Sequence, residues 1–128
     1  MERSQDNRRL FALRGAVSVD DNSEEAILAE TRELLRAIME RNGLAPEQMV
    51  SCVFSATTDL NAQFPAVAAR DLGLSGVPLL CTQEIDVPGA LPRVIRVLLH
   101  YYAPDGHAPQ HVYLGKARSL RTDLEAAQ

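Results

Sequence analysis

Four side chains sit in apolar stretches where their chemistry looks out of place. They are Arg14 in "LFALRGAVSV", Glu84 at the end of "GVPLLCTQEI", Arg96 in "PRVIRVLLHYY" and Tyr113 in "HVYLGKARSL". A guanidinium on an apolar face must be paired, because an uncompensated buried charge is very costly. For Arg96 alone, a structural salt bridge to Glu84 accounts for its presence. The set as a whole, however, carries two cations against one carboxylate, and that surplus favours an anionic ligand. Arginine suits the task because its planar fork grips a carboxylate through two oxygens at once. Arginines, a carboxylate and a phenol can bind an acid and stabilise developing charge without moving a proton.

Other chemistries find little footing in the sequence. It has no Gly-rich phosphate loop and no nucleophile elbow. Cys81 has no neighbouring base in sequence and reads as a small buried residue. His107 and His111 stand four apart, but Pro109 between them opposes a helix, so neither a metal nor a cofactor is expected. A formal net charge of -4 argues against a general nucleic-acid binder, which needs clustered Lys and Arg. Cys52 and Cys81 lie in apolar runs and read as free thiols of a reducing compartment. The opening "MERSQDNRRL" lacks the apolar centre of a signal peptide, and no apolar run approaches the ~20 residues that span a bilayer. The expectation is a cytoplasmic protein with no membrane or nucleic-acid partner.

These residues need a scaffold, and 128 residues of which 46% are hydrophobic supply one compact domain. A chain of this size buries roughly two-thirds of its unfolded surface and needs no disulfide to hold a core. Residues 1–9 are polar and read as a disordered extension, leaving 10–128 as the domain. "LFALRGAVSV" reads as the first strand. "DDNSEEAILAETRELLRAIMERNG" is the long helix, with Asn22 or Ser23 as its cap and Glu24 and Glu25 at its positive end. Ile27, Leu28, Thr31, Leu34, Leu35, Ile38 and Met39 form one stripe on it, and Gly43 stops it.

"APEQM" follows as a short helical turn, then "VSCVFSAT" as a central, nearly continuous apolar strand. "PAVAARDLG" is a short helix, "GVPLLCTQEI" the third strand and "DVPGALP" a Pro/Gly-punctuated loop. The Arg96 strand comes fourth, with Val94, Leu98 and His100 on the same face as Arg96. "HVYLGKARSL" reads as the fifth strand, and about 118–128 as a mobile tail. The fold class is α+β, a mixed five-stranded sheet on one long helix plus short helices. That helix covers only one face of the sheet. The other is too apolar for water, so assembly through the sheets is expected.

"LRGAVSV", "SATTDLNAQFPAVAAR", "VPLLCTQEIDVPGALPRVIRV" and "HVYLGKARSLRTDL" together resemble the monofunctional chorismate mutases of the trimeric α/β, Bacillus-like type. The likeness runs from Leu13 to about Leu124. It implies a homotrimer closed into a pseudo α/β barrel that rearranges chorismate to prephenate in phenylalanine and tyrosine biosynthesis. It further implies that Arg96 meets the ether oxygen and one carboxylate, while Arg14 and Tyr113 hold a carboxylate. Glu84 would accept the ring hydroxyl near Cys81, with Leu80, Thr82 and Gln83 along the same wall. Phe64, Ala66 and Arg70 would come from a neighbouring subunit, and Leu120 and Arg121 would fold over the substrate. Val67 departs from the pattern, since the best-known relatives carry a Lys there. Two other functions are compatible with an arginine-lined trimer: an imine or enamine deaminase, and a non-catalytic metabolite-binding protein.

Overall fold

A computed structural model describes residues 7–120. The elements in order are β1 (Arg8–Ser18), α1 (Glu24–Asn42), β2 (Met49–Ala56), α2 (Ala66–Asp71), β3 (Leu79–Gln83), β4 (Val94–Pro104) and β5 (Val112–Leu114). Short 3₁₀ turns lie at Pro46–Gln48, Leu74–Gly76 and Gly115–Ala117. The strands form one mixed sheet in the order β3-β2-β4-β1-β5. β4 is central and antiparallel to β1 and β2, while β3 runs parallel to β2 and β5 parallel to β1. The α+β class, with the expected five strands, is the architecture observed.

The long helix starts where its cap chemistry allows. Ser23 is the N-cap, and its hydroxyl accepts the Ala26 amide at 3.1 Å. Gly43 ends the helix at φ 62°, a left-handed position that carries no steric cost without a Cβ. Ile27, Thr31, Leu34, Leu35 and Ile38 turn to the sheet and are buried. They meet the odd-numbered side chains of β4, namely Ile95, Val97, Leu99 and Tyr101, together with Leu13, Val17, Cys52 and Phe54. Helix and sheet approach most closely at Gly15, where a Cβ would lie 3.0 Å from Ile38 Cδ1 and 3.1 Å from Val97 Cγ1.

Among the described residues, no helix covers most of the opposite face of the sheet. Leu10, Leu80, Leu98 and Tyr102 share that face and are exposed. Among the described residues one corner of it is covered: Ala16, Val94, Tyr113 and Ala117 form a small buried cluster, with Leu91 and Leu120 against it. Among the described residues no helix is long and apolar enough to cross a membrane.

Two boundaries differ from the sequence reading. The extension assigned to residues 1–9 ends earlier, because β1 already includes Arg8 and Arg9, paired with Pro104 and Ala103. Arg9 also lies over the Phe11 ring and 3.6 Å from Asp105, so the polar residues gain partners at the strand's outer end. The fifth strand is three residues long rather than ten. Gly115 at φ 62° turns the chain, Lys116 N donates to Ser18 Oγ at 2.8 Å, and residues 118–120 are helical. Residues 121–128, which include Arg121 and most of the expected tail, lie outside the described residues.

Candidate active site

Strand register brings the polar residues into one transverse row. Thr82 pairs with Ser55, Ser55 with Arg96, Arg96 with Ala16, and Ala16 with Tyr113. Directly paired residues project to the same side of a sheet, so this row crosses the helix-free face. One step along, Leu80, Val53, Leu98 and Arg14 form a second row beside it. Together they line a pocket of about 270 Å³ whose walls include Arg14, Val53, Ser55, Arg96, Leu98 and Tyr113. Arg96 stands at the centre of the first row, and Ala16, between Arg96 and Tyr113, is buried in the corner cluster.

Arg96 and Glu84 do form an ion pair. Arg96 Nε lies 3.1 Å from Glu84 Oε2, and the side chains are 40% and 24% exposed. Arg96 Nε is nevertheless buried without a hydrogen bond, so the two groups are close but out of line. Glu84 Oε2 instead receives a hydrogen bond from Ser55 Oγ. Glu84 is placed by its own backbone, whose amide donates to Ala56 O at 2.9 Å just past β3. Among the described residues no carboxylate pairs with Arg14. The pocket therefore holds more positive than negative charge.

The entry into β4 is fixed tightly. Arg93 adopts φ 49°, an unusual value for a residue with a side chain. Both carboxylate oxygens of Asp59 accept its amide, at 3.2 and 3.1 Å, and Arg93 Nε donates to Val19 O at 3.0 Å. Thr57 Oγ1 donates to Asp59 Oδ1 and accepts the Val94 amide. This lock holds the strand three residues before Arg96. On the other side, Asn42 accepts the Gln110 amide at 2.7 Å and donates to Gln110 O at 3.0 Å. That bond ties the end of α1 to the lead-in of β5, and hence to Tyr113.

The remaining candidate residues divide between the two faces. Leu80, Thr82 and Leu120 accompany Arg96 on the open side. Cys81 pairs with Phe54 and packs against the helix-side core, and Gln83 shares its side. Together with Thr82, Phe64 and Pro65 they line a separate cleft of about 440 Å³. Phe64 is 67% exposed, and Arg70 is exposed on α2. Ala66 is only 4% exposed and packs in its own core, so its methyl group is not on offer to a neighbour. Because α2 packs on the helix side, the sheet separates Phe64 and Arg70 from Arg96 of the same chain.

Ser55, Asp59 and Asn42 were not singled out from sequence. A signal existed for Ser55: in "VSCVFSAT" the serines alternate with Cys52 and Phe54, which puts them on the face of Arg96 once the strands pair. Asp59 and Asn42 act through backbone groups distant in sequence, and no local pattern marks such partners.

Fold and pocket thus define an α+β protein with a cation-rich pocket on the face of a mixed sheet opposite α1. Residues 10–124 match the model of chorismate mutase type I. The chain is 47% identical over 121 residues to the chorismate mutase AroH of Thermus thermophilus, covering 91% of this chain and 97% of that one. It is 45% identical over 117 residues to the chorismate mutase AroH of Bacillus subtilis, covering 88% and 90%. The solved chorismate mutase from Clostridium thermocellum superposes with a TM-score of 0.82 at 44% identity, covering 85% of this chain and 98% of that one. The chain belongs to the chorismate mutase type I family, and it is an enzyme of aromatic amino-acid biosynthesis that isomerises chorismate.

Proposed function

We propose that this chorismate mutase accelerates a unimolecular Claisen rearrangement by fixed charge and conformational restraint. Chorismate is a dianion carrying an enolpyruvyl ether. Breaking the C–O bond ahead of C–C bond formation leaves negative charge on the ether oxygen, and Arg96 is the cation that meets it. Such a group binds the transition state more tightly than the ground state, which is what raises a rate. Arg14 and Tyr113 hold a carboxylate, Glu84 accepts the ring hydroxyl, and the walls select the compact chair conformer. No bond to the protein forms and no proton moves.

The observation that carries this reading is the placement of Arg96, Arg14 and Tyr113 around one pocket with Glu84 beside Arg96. The site is completed in a homotrimer, with the bare sheet faces turned inward as a pseudo-barrel. The exposed Leu10, Leu80, Leu98 and Tyr102 support such burial. So does the position of Phe64 and Arg70, which can reach an Arg96 only of another subunit. Leu120 closes the pocket from its corner cluster. The enzyme works in the cytoplasm, a placement supported by its two free thiols.

The test is to follow chorismate absorbance with purified protein while measuring mass in solution. Conversion to prephenate by a trimer, inhibited by a bicyclic diacid shaped like the rearranging molecule, is the expected result. A crystal with that diacid bound and Arg96 turned away onto protein groups alone would overturn the mechanism.

A further inference from the structure

Glu84 Oε2 is approached by two groups, the Ser55 hydroxyl that donates to it and Arg96 Nε, which does not align with it. Ser55 stands directly opposite Arg96 across the β2–β4 ladder and opposite Thr82 across β2–β3. It is therefore anchored from both sides, and its hydroxyl has a fixed origin. A carboxylate left free beside a guanidinium closes onto it through two parallel N–H···O bonds. That closure would take up donors that an anionic substrate needs. A hydroxyl donating to Oε2 holds the carboxylate toward β2 and opposes it.

We propose that Ser55 is a positioning residue for the rearrangement: it tethers Glu84 so that Arg96 keeps its outer N–H groups for the substrate. The same tether leaves Oε1 free to accept the substrate's ring hydroxyl. The inference rests on the mechanism proposed above, and it assigns the ion pair a poised role rather than a structural one. A serine that merely satisfied itself in a sheet would serve the fold and leave the kinetics untouched.

Ser55→Thr and Ser55→Val are nearly equal in shape and differ by the hydroxyl, so their comparison isolates the bond even where Ser55→Ala disturbs packing. The expected result is a kcat for Ser55→Val about tenfold below that of Ser55→Thr, with a smaller change in KM and similar melting temperatures. In a Glu84→Gln background, replacing Thr by Val at position 55 should change kcat less than twofold, because the path through Glu84 is already cut. Equal kcat for the two variants, or the same tenfold loss in both backgrounds, would overturn the proposal. A wild-type enzyme that leaves chorismate untouched would instead sink the mechanism itself, so the two failures are distinguishable.

Discussion

Arg96 Nε lies 3.1 Å from Glu84 Oε2, yet the nitrogen donates no hydrogen bond. In the proposed mechanism Arg96 acts through its charge on the ether oxygen rather than as a structural clamp. Arg96→Gln should therefore lower kcat by about 10²–10³, the usual loss for one preorganised donor, while KM changes far less. Steady-state kinetics on the variant decide it, and a change confined to KM would contradict the assigned role.

Arg70 is exposed on α2 and does not line the pocket of its own chain. If it completes a neighbour's site, Arg70→Ala should reduce kcat/KM while thermal unfolding stays within about 0.5 kcal/mol of wild type, as for other exposed substitutions. Val67 stands on the same short helix where a Lys is found in the best-known relatives. In the proposed shared site, capture of the dianion would lean on Arg70. Unchanged kinetics would remove Arg70 from the shared site.

A reaction without proton transfer has no reason to follow the titration of a general acid or base. kcat should vary less than about twofold between pH 6 and 8, with no marked deuterium-solvent effect. A bell-shaped profile would point to an ionising group in the chemical step.

Stability, by contrast, should depend on alkaline pH. Burial pushes the Tyr101 hydroxyl up to about 12 from an ordinary value near 10, and burial, then the nearby Cys81, pushes the Cys52 thiol up to about 12 from near 9. Both groups ionise first in the unfolded chain, which then binds fewer protons than the native one. Native stability must therefore fall as pH rises, beginning near 9 and continuing through about 12. Denaturant midpoints at pH 8, 10 and 11.5 would reveal the slope, and Tyr101→Phe should flatten part of it.

Much of this molecule could be read from its residues. The α1 stripe, the Gly43 stop and the apolar run of β2 are local signals, and each gave the right element. The Arg96 strand announced its two faces by alternation alone. The limits were local as well. Polar Arg8 and Arg9 concealed a strand end whose partners, Ala103 and Pro104, are far along the chain. "HVYLGKARSL" looked like a strand throughout, but Gly115 takes a left-handed turn that its neighbours do not betray. The site split in the same way. Arg14, Arg96 and Tyr113 were recognisable as charges or a phenol among apolar residues, whereas Ser55 acquires meaning only once register sets it opposite Arg96. Along β3 the side chains of Cys81 and Gln83 turn to the helix side and those of Leu80 and Thr82 to the other, while Cys81, Thr82 and Gln83 still border one cleft.

The two-sidedness of β4 reaches further than the site. Its odd positions, from Ile95 to Ala103, are sealed beneath the helix, and its even ones from Arg96 onward look outward. One ribbon therefore carries two interleaved inventories that answer to different pressures. Changes at 95, 97 or 99 disturb the buried core, whereas those at 96, 98 or 100 leave it largely intact. Neighbours a single peptide bond apart thus answer to separate surroundings, one packed and one open.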